Sequence, residues 1–196
     1  MSFWTETNPA QIKEPKRKFR FLVEFTNWKG DMDSSILWYA KTATKPSFTI
    51  EVGQHNYLNY TFNYPGTVKW NEVTIDLVDP GPTVSGGPDL AEKLWQFLRG
   101  SGWEVPGNPN GGPSSFNTVS KNKAINGLGS VIITQIDADG VQNEKWTMVN
   151  AFVSDVKFGE LAYGDDELTT YSLTIQYDWA ELFDNGATGT TAAAAT

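Results

Sequence analysis

The segment Trp146–Leu161 (WTMVNAFVSDVKFGEL), the polar turn Tyr163-Gly164-Asp165-Asp166-Glu167 and the segment Leu168–Trp179 (LTTYSLTIQYDW) decide the fold. In the last segment apolar and polar side chains alternate, the period of a strand with one buried face. The reading is therefore a closing β-hairpin over Val153–Trp179, with Phe158, Leu161, Leu173, Ile175 and Trp179 as its buried positions. Upstream, Val131–Ile136 and Lys145–Val153 flank Asp137-Ala138-Asp139-Gly140, a hairpin turn signal.

Working outward, the same period recurs. Phe19, Phe21, Val23 and Phe25 alternate with Arg20, Leu22, Glu24 and Thr26. Ile36–Lys41 is a second strand candidate. Phe48–Val52 and Tyr57–Tyr64 form a β-branched and aromatic stretch, broken by Gly53 and closed by Pro65-Gly66, which predicts a long projecting hairpin. From Val68 to Val78 alternation resumes, with Val73, Ile75 and Leu77 on one face and Thr74 and Asp76 on the other, until Asp79-Pro80-Gly81-Pro82 stops it. One helix is signalled over about 89–99: Asp89 as N-cap, Glu92 at the capping-box position, and Leu90, Leu94, Phe97 and Leu98 on one stripe before Gly100. The Gly/Pro-rich loop of about 100–116 is too short for a domain linker. The expected division is a basic N-terminal arm (1–18), one β-domain (19–182) and a flexible C-terminal tail (183–196) of low complexity.

A chain of 196 residues with eight Trp, seven Tyr and eleven Phe can fill a core. Having no cysteine, it has no disulfide framework and no thiolate site. No apolar run is long enough for a membrane span, and residues 1–20 show no signal core, so synthesis and folding in the cytoplasm are expected. A net charge of −8 argues against a protein that grips phosphate backbones. That charge is uneven: Lys13, Lys16, Arg17, Lys18 and Arg20 against Glu6 and Glu14 give the first 20 residues +3, and the remainder −11.

The search for chemistry returns little. His55 is the only histidine, so a triad or a His-rich metal site would have to be built around one residue of a hairpin. Gly127-Leu128-Gly129 lacks the third glycine of a phosphate cradle. The acids Asp137, Asp139 and Asp165-Asp166-Glu167 lack the spacing of a calcium loop. No catalytic residue, cofactor or metal is expected, and the tryptophans read as core or subunit contacts.

Taken together, Asp155-Val156-Lys157-Phe158-Gly159-Glu160-Leu161, the aromatic-acidic ending Tyr177-Asp178-Trp179, the first strand Phe19–Phe25, the approach Lys41–Phe48 (KTATKPSF) and the strand Trp70–Val78 make the chain resemble the major tail tube protein of contractile-tailed bacteriophages. The likeness covers about residues 19–182 and departs from the family at the 100–116 loop and at the Ala/Thr tail. It implies a mainly β protein, a β-sandwich or partial barrel with one flanking helix, six copies of which form a ring with a continuous inner β-barrel. It further implies a structural virion protein of the tail, assembled in the host cytoplasm and not an enzyme. Its partners would be other copies of itself, a sheath outside, a tape measure protein and passing DNA inside, and a baseplate and tail terminator at the ends, with no membrane and no specific nucleic-acid binding.

On that reading Phe48, Ile50, His55, Tyr57, Tyr60, Phe62 and Tyr64 form an inter-ring hairpin. A DNA conduit must not hold its cargo, so the lumen should be acidic or neutral, with Thr74, Asp76, Asp137 and Asp139 as candidate lining. The alternatives are a type six secretion tube, another contractile injection tube, a baseplate tube initiator or, in a different class, a carbohydrate-binding β-sandwich.

Overall fold

The computed structural model describes residues 15–26, 40–79, 81, 89–103, 118–164 and 166–184. Positions 36–39 of the second expected strand, most of the 100–116 loop and the tail from Asn185 lie outside them. So do Asp165 and residues 1–14 of the basic arm.

Among the described residues ten strands and two helices follow in the order β1 (Phe21–Phe25), β2 (Ala40–Ala43), β3 (Phe48–Tyr57), β4 (Tyr60–Trp70), β5 (Val73–Val78), α1 (Leu90–Gly100), α2 (Lys121–Leu128), β6 (Val131–Ile136), β7 (Gln142–Val149), β8 (Phe152–Lys157), β9 (Thr170–Gln176) and β10 (Trp179–Asp184). They make two four-stranded antiparallel sheets, β1-β6-β7-β10 and β2-β5-β9-β8, and a separate ribbon β3-β4. The fold is mainly β, and the sheets are not closed into a barrel.

Alternation builds the core. Val73, Ile75 and Leu77 of β5 and Leu173 and Ile175 of β9 are fully buried, and they meet Val23, Val131, Ile133 and Met148 of the first sheet. Helix α1 adds Leu90, Leu94 and Phe97. Its cap differs in detail from the expected box: the Asp89 carboxylate accepts from the Leu90 N–H, and Glu92 accepts from the Gln96 side chain instead.

Other departures from the sequence reading have local causes. Pro65-Gly66 does not close the hairpin; both residues lie inside β4, at a bulge. The strand read from Val68 to Val78 is two, since β4 ends at Trp70 and β5 starts at Val73 in a different sheet. Likewise Lys145–Val153 is broken at Asn150, whose φ of 55° turns the chain from β7 into β8. Helix α2 is an addition to the single expected helix. Ser120 caps it, but Ala124, Gly127 and Leu128 are its only buried residues, too sparse a stripe to announce it. Finally, β9 stops at Gln176, and Trp179 opens β10, which crosses to the other sheet and pairs with β7. That crossing leaves Trp179 43% exposed, and Phe158 (45%) and Leu161 (89%) lie outside the strands, so these three are not core residues.

Candidate assembly surfaces

The β3-β4 ribbon is solvated on both sides, an unusual state for a sequence this rich in aromatic and β-branched residues. Its register explains how the apolar groups are distributed. Phe48 pairs with Trp70 and Ile50 with Val68; the next pair is Val52 with Pro65, so β4 carries one extra residue there. Proline cannot donate to the ladder and suits such a bulge. Gly66 suits it too, because a Cβ there would come 3.0 Å from the Glu51 carbonyl oxygen.

The bulge changes which face β4 side chains occupy. Tyr60, Phe62, Tyr64, Val68 and Trp70 share one parity and would share one face of a regular strand. Instead Val68 and Trp70 lie with Phe48, Ile50 and Val52 on one face near the base. Tyr64, Phe62 and Tyr60 oppose Gly53, His55 and Tyr57 on the other face toward the tip. Side-chain contacts follow this division: Phe48 meets Trp70 edge to face at 5.4 Å, Thr61 donates to Asn56 on the tip's polar side, Lys69 pairs with Glu51, and Gly53 leaves the room that the Tyr64 ring occupies. The tip turns through Leu58, at φ 53°. All seven residues expected of an interaction hairpin are therefore on the ribbon, but Phe48 and Ile50 face one way and His55, Tyr57, Tyr60, Phe62 and Tyr64 the other.

The candidate lining residues separate. Thr74 and Asp76 lie on the outer face of β5, among Thr42, Thr170, Ser172 and Thr174, which pair across from them or continue their row. Asp76 accepts a hydrogen bond from the Thr42 hydroxyl, and on β8 Asp155 pairs with Lys157 at 3.7 Å. Asp137 and Asp139 are instead at the β6-β7 turn of the other sheet. There the Asp137 carboxylate accepts from the Asp139 and Val141 N–H groups and Gly140 takes φ 80°. One sheet face thus holds the first pair alone.

The family-like residues also disperse. Tyr177 is buried against Trp70; its hydroxyl points toward the Ser47 backbone without hydrogen-bond geometry, and burial raises its pKa. Asp178 accepts from Lys121 at 2.8 Å and from Asn150 at 2.8 Å, tying α2 and the β7-β8 corner to the β9-β10 crossing and lowering its carboxyl pKa. Phe158 packs edge to face on Tyr171 at 5.7 Å, and Glu160 and Leu161 are exposed in the loop beyond. The Tyr171 hydroxyl donates to Asp79 at 2.6 Å; burial and that bond push its pKa up to about 12.

Sequence reasoning passed over Glu144. It is on β7, an interior strand of the first sheet, and accepts from Lys16 (2.5 Å), Lys45 (2.8 Å) and the Trp146 indole N–H (2.5 Å). Burial disfavours its charge, but these three hydrogen bonds prevail and hold the carboxyl at about 2. Lys45 also donates to Gln135, whose amide reaches the Arg17 carbonyl, so residues 16 and 17 are bound to the body. The expected strand began at Lys145, one residue after Glu144, whereas β7 begins at Gln142. Among the described residues no group of three or more His, Cys, Asp or Glu side chains could hold a metal ion, and no helix is long and apolar enough to cross a membrane.

No protein-family model and no curated protein matches the chain. Solved structures do match in fold. A chain of the anti-feeding prophage baseplate is 17% identical with a TM-score of 0.57, covering 88% of this chain and 97% of that one. A chain of the sheath-tube complex of the extracellular contractile injection system PVC, in its extended state, is 15% identical with a TM-score of 0.59, covering 91% and 99%. A chain of the anti-feeding prophage tube-terminating cap is 14% identical with a TM-score of 0.58, covering 88% and 93%. The chain therefore shares, over most of its length, the fold of subunits of contractile tail-like particles.

Proposed function

We propose that this chain is a tube subunit of a contractile phage-type tail: six copies form a ring, rings stack head to tail, and the tube conducts DNA to the host. The observation that carries the reading is the ribbon, with eight large apolar side chains of β3 and β4 at least 44% exposed on two opposite faces. A monomer has no use for such a surface, whereas two faces with different chemistry suit two different neighbours. The sheet edges support it, because among the described residues β1, β10, β2 and β8 each have one unpaired side that ring closure would remove.

The outer face of β2-β5-β9-β8 is the wall we assign to the lumen. Its Ser and Thr rows carry Asp76 and the Asp155–Lys157 pair, and Glu72 continues them where it accepts from Gln176, a balance of two negative charges per copy. Such a wall offers duplex DNA no row of cations to settle on. A sheath would lie outside the tube, a tape measure protein within it during assembly, and a baseplate and terminator at its ends. The structural role requires no cofactor and no catalytic residue. Negative-stain microscopy of the concentrated purified chain tests this: rings or tubes are expected, and monodisperse single subunits would overturn it.

A further inference from the structure

Beside the Glu144 cluster a cleft of about 670 Å³ opens between the β1 and β2 edges, where the two sheets part. Lys16, Lys18, Lys41 and Lys45 rim it, and Phe21, Ile133 and Trp146 supply apolar walls. One carboxylate, Glu144, answers Lys16 and Lys45. Lys18 and Lys41 make no ion pair among the described residues, so four lysines against one glutamate leave a surplus of three positive charges around an apolar trough.

The opposite chemistry sits on the other edge of the second sheet. The cleft runs along edge strand β2 from Lys41, beside the Leu77 and Asp76 positions of β5, to Lys45; the β8-β9 connection leaves the other edge at the Val78–Thr170 end. This connection, residues 158–169, is far longer than the two to five residues that usually join paired antiparallel strands. It holds Glu160, Asp165, Asp166 and Glu167 and no lysine or arginine. Leu161, Tyr163 and Leu168 stand in solvent, at 89%, fully and 71% exposed. Its root is fixed, since Phe158 packs on Tyr171 and Gly159, at φ 74°, passes too close to the Thr170 carbonyl for any Cβ.

We infer that the loop after β8 of one copy docks in the lysine cleft of the next, its Glu160, Asp166 and Glu167 toward Lys18 and Lys41 and its Leu161 and Tyr163 in the trough. The inference rests on the tube reading and deepens it by naming a contact between successive subunits. Strands β5 and β9 separate the β2 and β8 edges within a copy, and no described residue of the loop lines its own copy's cleft. A contact between two unlike patches is heterologous and propagates head to tail. The surplus of lysine at the cleft and the base-free loop also disfavour pairing of like faces.

A charge swap tests this. Glu160→Lys, Asp166→Lys and Glu167→Lys in the loop, or Lys18→Glu with Lys41→Glu in the cleft, should each abolish assembly measured by sedimentation while circular dichroism stays unchanged; mixing the two variants should restore mixed assemblies. Because the chain has no cysteine, Leu161→Cys and Lys41→Cys subunits give a second readout: a disulfide-linked dimer should form only when the two are mixed. Assembly that survives either reversal, or the absence of a mixed-specific crosslink within wild-type-like rings, would overturn the docking and leave the tube reading intact. A wild-type chain that stays monomeric would overturn both.

Discussion

The Trp70 ring at the end of β4 packs against Tyr177 just beyond β9, with centroids 5.9 Å apart, and Phe48 also meets Trp70, at 5.4 Å. This row of three rings is how an otherwise solvated ribbon is fastened to the sandwich. The base of the hairpin is thereby part of the folding unit, and the tip is free to serve a neighbour.

Substitutions along the ribbon should divide accordingly. Trp70→Ala should lower stability by about 2–4 kcal/mol, because it removes a partly buried aromatic from this contact. Tyr60→Ala with Phe62→Ala should change it by less than about 0.5 kcal/mol, as expected of exposed positions, yet stop elongation. Denaturant melts and microscopy on the same preparations check both; a tip variant that builds tubes of normal length would refute the inter-ring role.

Core and crossing positions of the last strands should differ as well. Ile175→Ala, at a fully buried site, should cost about 2–5 kcal/mol. Trp179→Ala should cost less than Ile175→Ala, since nearly half of that side chain is already in water. Paired urea titrations would show the order, and an equal or reversed ranking would mean that the β9-β10 crossing packs more tightly than described.

Acid sensitivity follows from Glu144. Its folded pKa, about 2, is below the usual value of about 4.5. It therefore stabilises the fold fully above the unfolded pKa and loses that contribution as pH falls from about 5 toward 2. The contribution should be about 1–3 kcal/mol once screening of the half-exposed Lys16 and Lys45 is allowed for. Glu144→Gln should flatten this part of the stability profile, followed by thermal melts between pH 2 and 7; an unchanged acid limb would rule the cluster out as its source.

The wall assignment predicts a gain of function. Thr74→Lys with Asp76→Lys leaves the buried face of β5 untouched, so tubes should still form, but each ring of six would then present twelve added lysines. Such tubes should retain duplex DNA at low salt and release it as ionic strength rises, while unmodified tubes retain none. Equal, negligible retention by both would place this face away from the lumen.

Sequence alone determined what depends on near neighbours. The period-two rows of β5 and β9, the amphipathic stripe of α1 and the Asp-Gly turn between β6 and β7 are each set within a few residues by side-chain direction and turn chemistry. It also announced a long aromatic hairpin whose seven named residues all lie on the ribbon. Tertiary structure alone decided what depends on pairing between distant segments. The register of β3 against β4 places the bulge that splits one aromatic row onto two faces. The crossing at Tyr177-Asp178 sends Trp179 to the other sheet, and the meeting of β1 and β2 edges brings Lys16 and Lys45 to Glu144, 128 and 99 residues away. Alternation says which residues share a face of one strand; which strand lies beside it is fixed only when the whole core closes, and no local pattern records that choice.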